Sequence, residues 1–296
     1  QAKLHSLLRQ SPSLFFAQLF PKIDNTEGFE CPWHLHAISQ HLLEMYNGQC
    51  RRLIINAPPR SLKTSMANSY FIPWLLGKNP KTKVIVVTYG DDLSTTLARA
   101  TKKVFIHPAY QQIFPHTVLE NDRMQATRLR TPQGGQVIFT SIHGALTGLG
   151  ADWIILDDPL QAAHMRSEVR QDDLAQVFRH SVTTRLNDPE TGKMLLVQQR
   201  ISPNDLCGDL TRDPGHPWTV LSLPARFDEP AEFNLGIFGP KEVTAGELLT
   251  PHRMSERFLS EKQSEMGDAA FYAQYLQHPL VEDDCPIDFG KIKYIS

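Results

Sequence analysis

The stretch "RLIINAPPRSLKTSMANSY", residues 52–70, decides how this chain is read. It opens with a short apolar, β-branched run, turns through two prolines, and continues in a pattern that puts Met66, Tyr70 and Trp74 on one face of a helix. Pro73 should bend or end that helix. Strand, turn, Lys63, Thr64 and helix are the parts of a phosphate-binding loop, in which a turn points backbone N–H groups inward and a helix N-terminus faces the anion. In such a loop the lysine reaches the β- and γ-phosphates and the hydroxyl binds magnesium. Leu62 stands where glycine is usual before the lysine. A leucine is tolerable if its backbone keeps an ordinary conformation, and that is the expectation. Taken alone, the stretch also fits a Pro-rich turn capped by Ser61 with Lys63 at the surface.

Working outward, similar apolar runs recur at residues 83–89, 136–142, 152–158, 193–200 and 218–225, separated by helix-length segments. Continuous runs of this kind are strands buried on both faces, which predicts an α/β fold with a mostly parallel sheet flanked by helices. "DDLSTTLARATKKVF" starts with aspartates and ends with basic residues, as a helix macrodipole prefers. Residues 167–186 form another expected helix. Past about residue 205 the chain becomes rich in Pro, Asp and Gly before a last helical stretch. The expected division is an N-terminal helical segment (1–50), a nucleotide-binding core (51–205), a lid subdomain (206–265) and a linker (266–296).

"DWIILDDPL" sets Asp157 and Asp158 at the end of a buried strand, the edge where α/β ligands bind. This is the Walker B pattern. Asp157 would hold magnesium and Asp158 would orient and polarise the attacking water. Two aspartates capping a strand before Pro159 are the plainer alternative for this stretch alone. Both motifs in order, each at a strand end, favour the nucleotide-site reading.

The 30 Lys and Arg against 32 Asp and Glu leave a net charge of −2, so no global basic bias announces nucleic acid. "RATKKVF" and "RHSVTTR" are local basic stretches that offer backbone contacts or are solvated helix faces. The 4 cysteines are far apart and form no Cys-x-x-Cys, which argues against zinc and against a disulfide framework. No apolar run reaches the ~18 residues of a membrane span, and no signal-peptide pattern opens the chain. A soluble intracellular protein is expected.

The sequence resembles the large terminase subunits of tailed bacteriophages, from "PWHLHAISQHL" to "FYAQYLQHPL". "APPRSLKT" is similar to their phosphate loop, "VVTYGDDLS" to their second-strand motif, "GALTGLGADWIILDDPL" to their Walker B segment and "VQQRISPNDLCGDL" to the strand and helix that follow. The resemblance implies a P-loop ATPase core with ATP and Mg2+ as ligands, which drives double-stranded DNA into a procapsid in the host cytoplasm. Its partners would be portal protein and the small terminase subunit, in a homo-oligomeric ring. It implies catalytic roles for Lys63, Asp158 and Gln199, with Gln199 in the segment that senses the γ-phosphate. It implies nucleotide contacts from Arg60, Ser61, Leu62, Lys63 and Thr64, metal contacts from Thr64 and Asp157, and an adenine-contact segment at Trp33 and His34. Trp33 is equally readable as a core residue, Gln199 as a polar strand end, and Arg60 as a surface charge paired with an acid.

Two features depart from the family pattern. Leu149 occupies a position where many relatives have an arginine, so Arg60, Arg128 and Arg130 become the candidates for a charge-stabilising finger. "VEDDCPID" is too short to build the family's nuclease metal site, so no DNA cleavage is expected. A nucleotide-binding scaffold with weakened turnover and a helicase-like ATPase are the competing readings.

Overall fold

The computed structural model describes residues 1–120, 126–164 and 167–280. The chain opens with three helices, α1 (Ala2–Gln10), α2 (Pro12–Ile23) and α3 (Trp33–Tyr46), and enters the sheet at β1 (Arg52–Asn56). A π-helical segment, Ser65–Tyr70, runs straight into α4 (Phe71–Lys78). Then follow β2 (Lys83–Thr88), α5 (Asp91–Ile106), α6 (Pro108–Ile113), β3 (Arg128–Arg130), β4 (Gln136–Ser141) and β5 (Trp153–Asp157). The rest comprises α7 (Glu168–Val177), β6 (Lys193–Gln198), α8 (Leu206–Thr211), β7 (Thr219–Ser222), the hairpin β8 (Ala231–Asn234) and β9 (Pro240–Val243), α9 (Glu256–Met266) and α10 (Asp268–Gln274).

Seven strands form one sheet in the order β3-β4-β2-β5-β6-β1-β7, parallel throughout except for the edge pair β3-β4. Alternating side chains of each strand enter different cores, as the period of two requires. Leu53, Ile55, Val84, Val86, Ile155, Leu195 and Val197 pack under α1 to α6. Ile54, Ile85, Val87, Ile154, Leu156, Met194 and Leu196 pack under α7 and α8. This double burial is why the strands read as unbroken apolar runs.

All six expected strands are present. Three boundaries differ from expectation. β7 pairs with β1 along Leu53–Asn56, so the central sheet continues past residue 205. Residues 268–274, within the last expected helical stretch but assigned to the linker in the expected division, form α10 and pack Phe271 and Tyr275 into a third core with Met254 and Leu259. The remainder of that linker expectation, including "VEDDCPID", lies outside the described residues. The helix after the loop does not stop at Pro73 but runs on to Lys78. Pro73, which has no N–H to donate, is the third residue of α4, within the first turn after the π-helical segment, where a proline is tolerated. Among the described residues no helix is long and apolar enough to cross a membrane.

Candidate nucleotide site

The parallel register brings three strand ends together. β6 lies between β1 and β5, pairing Asn56 with Gln198 on one side and Asp157 with Val197 on the other. The loop after β1, the acids after β5 and Gln199 after β6 therefore share one edge of the sheet, the edge where open α/β sheets bind ligands.

Side chains converge there. Thr64 Oγ1 donates to Asp157 Oδ1 at 3.0 Å, and Asn68 Nδ2 donates to Asp157 Oδ2 at 2.7 Å. Lys63 Nζ stands 3.5 Å from Asp158 Oδ2. The Gln199 N–H donates to Asp158 Oδ1 at 3.2 Å. Asp157 is 1% exposed, and burial, then the neighbouring Asp158 charge, hold its carboxyl above the usual range against the pull of Asn68, Lys63 and Thr64. A cation at that carboxylate would relieve the penalty.

The loop backbone is where the expectation for Leu62 fails. Leu62 has φ 65° and Arg60 has φ 64°, both left-handed, while Ser61 and Lys63 between and after them are not. A left-handed residue next to a right-handed one is the backbone pattern whose N–H groups form an anion-binding concavity. Leucine takes this conformation under strain of about 1 kcal/mol or more. Its side chain is half-buried against the core below α1 to α6, which helps to hold it there. Asp158, φ 42°, is a third non-glycine residue in this region, and its N–H is tied to Val197 O at 2.8 Å. Three strained residues at one edge mark a site whose surroundings over-determine its shape.

The structure brings Lys63, Thr64, Asp157, Asp158 and the Gln199 backbone together. Arg60 is exposed on the loop, and Ser61 is buried with an unpartnered hydroxyl. Trp33 packs its ring against Phe227 and Phe233. His34 lies behind the loop, and its Nε2–H donates to Ser61 O at 2.9 Å. Leu149 packs onto the core under α7 and α8. Sequence reasoning missed Asn68. Its signal was available: Thr64 and Asn68 are four apart on a helix and so address the same carboxylate.

The fit to magnesium is a matter of donor chemistry. Magnesium uses oxygen ligands, commonly one or two carboxylates plus substrate phosphates. Thr64 and Asp157 offer a hydroxyl and a carboxylate, and Ser61 Oγ is a further buried oxygen without a partner. Among the described residues no group of three or more His, Cys, Asp or Glu comes together that could hold a metal.

Burial of His34 should make stability depend on pH. Burial lowers its pKa to about 4. The unfolded chain takes up this proton near pH ~6.5 and the folded chain only near the lower value, so stability falls as pH drops through that window. Going from pH ~7 to ~5 should cost about 2 kcal/mol from this residue. His34→Gln keeps a donor for Ser61 O without the titration. Urea unfolding of the two proteins at both pH values should show the extra loss in the wild type alone. Equal losses would remove His34 as the cause.

The fold is an open α/β sheet, parallel but for one edge strand, with helices on both faces and loops gathered at the carboxyl edge. More particularly, it is the fold of the phage large terminase ATPase domain. A mutant form of that domain from Thermus phage P74-26 superimposes with a TM-score of 0.52 at 14% identity, covering 81% of this chain and 93% of that one. The large terminase of bacteriophage HK97 gives 0.50 at 13% identity, over 81% of this chain and 50% of that one. In sequence, the chain is 24% identical over 259 residues to the terminase large subunit of Enterobacteria phage T3, covering 80% of this chain. It spans 42% of the length of that relative. No protein-family model matches the chain.

Proposed function

We propose that this chain is the ATP-hydrolysing motor domain of a phage DNA-packaging machine. The observation that carries the reading is the joining of Thr64 and Asp157 across 3.0 Å beside Lys63 and Asp158, at the edge of a terminase-type sheet. ATP is the substrate. Its phosphates would lie in the concave loop Arg60–Thr64, against backbone N–H groups and the Lys63 ammonium. Magnesium, held by Thr64 and Asp157, would neutralise phosphate charge. Asp158 accepts the proton of the attacking water at a carboxylate oxygen, and Gln199 stands beside it where the γ-phosphate would end. The C-terminal lobe, with α9 and α10, is the lid. DNA backbone, portal, small terminase subunit and a ring of like chains are the proposed partners, and the host cytoplasm the compartment. ATP-dependent packaging in a defined system is the overall test. An inert, correctly folded chain there would favour the scaffold reading.

Arg128 and Arg130 sit on edge strand β3, three strand spacings or ~14 Å from β5, and so can act only on a neighbouring subunit's nucleotide. Arg60 is the candidate within the chain. A finger is worth on the order of 10³ to 10⁵ in rate. Free chain should therefore hydrolyse ATP slowly, and turnover should rise steeply on a portal ring. One of Arg60→Ala, Arg128→Ala and Arg130→Ala should abolish most of that rise while leaving ATP affinity intact. Fast turnover in dilute monomer, untouched by all three changes, would refute this.

A further inference from the structure

Two consecutive backbone N–H groups at the exit of β6 are each held by a side-chain oxygen. That of Gln199 donates to Asp158 Oδ1 at 3.2 Å, and that of Arg200 donates to Gln277 Oε1 at 3.0 Å. Gln277 follows α10, so adjacent peptide groups join the acidic end of β5 to the C-terminal lobe. The Gln277 amide nitrogen donates back to Gln274 O at 2.5 Å, which leaves the oxygen end for Arg200.

Gln277 is 6% exposed and has φ 57°. Among the described residues, five non-glycine residues have positive φ. Three of them, Arg60, Leu62 and Asp158, form the nucleotide site, and Gln277 is bonded to the strand exit beside it. Backbone strain persists where surrounding structure demands a side chain in one place. The left-handed turn at Gln277 closes the end of α10, returning the His278 N–H to Tyr272 O at 2.9 Å, and in doing so sets the side-chain oxygen on the Arg200 N–H.

The pieces on either side are stiff. The Arg200 Nε donates to both Asp205 oxygens at 3.0 and 2.9 Å, and the Ile201 N–H adds a bond to Asp205 at 2.9 Å. Asp205 also caps α8 through Gly208 N. On the other side Phe271 and Tyr275 stack within the third core, and Tyr275 O accepts the Ala225 N–H at 2.7 Å. The Gln277 amide joins the two stiff pieces at the exit of β6, and the chain after β7 joins them a second time, through Leu223 N–H to Asn56 O at 2.8 Å and Ala225 N–H to Tyr275 O at 2.7 Å.

We propose that Gln277 is a positioning residue that couples the nucleotide edge of the sheet to the C-terminal lobe. A shift of Asp158 and Gln199 on nucleotide binding moves the Arg200 N–H, and Gln277 carries that movement into α10. The proposal rests on the ATPase reading, because a nucleotide must move Asp158.

The test is hydrogen exchange of the peptide spanning α10 and Gln277, with and without a non-hydrolysable ATP analogue and magnesium. Wild type, Gln277→Leu, Gln277→Gly and Gln277→Glu are compared, with analogue affinity measured alongside. In wild type the analogue should change exchange there by about threefold or more. The Leu and Gly variants should lose that change while binding the analogue within about twofold of wild type. The Glu variant retains an acceptor oxygen and should retain the change. Glycine is at ease at positive φ, so the Gly variant decides the matter if the Leu variant does not fold. An unaltered response in a folded Leu or Gly variant overturns the proposal, as does a wild type that binds analogue without any response in α10. Loss of analogue binding in the folded Leu and Gly variants overturns it too, since Gln277 would then support the binding site itself. A wild type that fails to bind the analogue instead defeats the ATPase reading, and the proposal with it.

Discussion

Lys63→Ala should lower ATP affinity on the order of 100-fold or more and leave no measurable turnover, as read by titration calorimetry and a steady-state phosphate-release assay. Lys63 is 6% exposed, so its ammonium is held at the loop rather than free in solvent. Its partner Asp158 is 3.5 Å away. A phosphate group competes for the same cation, and nothing else in the loop supplies a mobile positive charge at that depth. Arg60 is on the loop but exposed, where its attraction to phosphate is screened. The variant should still fold, because the Asp158 side chain left behind is 31% exposed and water can solvate it. A folded Lys63→Ala protein with wild-type affinity and rate would sink the phosphate-loop assignment.

Asp158→Asn should separate binding from chemistry. Asparagine keeps an oxygen for the Gln199 N–H, so the strand ends stay aligned. It cannot take a proton from water, and loss of a general base costs on the order of 10² to 10⁴ in rate. Magnesium-dependent ATP binding should therefore survive within a few-fold while hydrolysis disappears. Asp157→Asn should behave differently. Both Asp157 oxygens already accept hydrogen bonds, from Thr64 and Asn68. An amide there keeps its oxygen on Asn68 and can donate its NH2 to the Thr64 hydroxyl, but it carries no negative charge for a cation. Metal-dependent binding should fall while stability holds or rises, because the amide removes a buried charge that burial and Asp158 penalise. Identical behaviour of the two variants, with ATP binding intact in each, would show the division of roles to be wrong.

The strands and the order of the motifs were legible because a doubly buried strand must be apolar along its whole length. Lys63, Thr64, Asp157 and Asp158 could be singled out for the same reason: charged or hydroxyl side chains immediately after such runs are abrupt changes that local chemistry explains. Residues outside that logic were not legible. Asn68 looks like an ordinary helical polar residue until the fold sets it against a carboxylate from β5. Gln277 lies in a segment whose pattern says only "helix end".

By itself, then, the sequence determined the α/β class, the six principal parallel strands, and which side chains stand at their ends, since period, burial and turn chemistry are all local properties. Tertiary structure alone decided three further matters. It decided that β6 lies between β1 and β5, because strand order depends on crossover paths and not on any strand's own composition. It decided that Leu62 adopts a left-handed backbone, because packing of its side chain and the closure of the loop outweigh the intrinsic preference. It also decided where the chain beyond residue 205 pairs with the sheet and that it ties itself to Arg200, because the first contact joins Leu53 to Thr219 and the second joins residues 77 positions apart. No window of sequence that short of its partner holds both ends of such a bond.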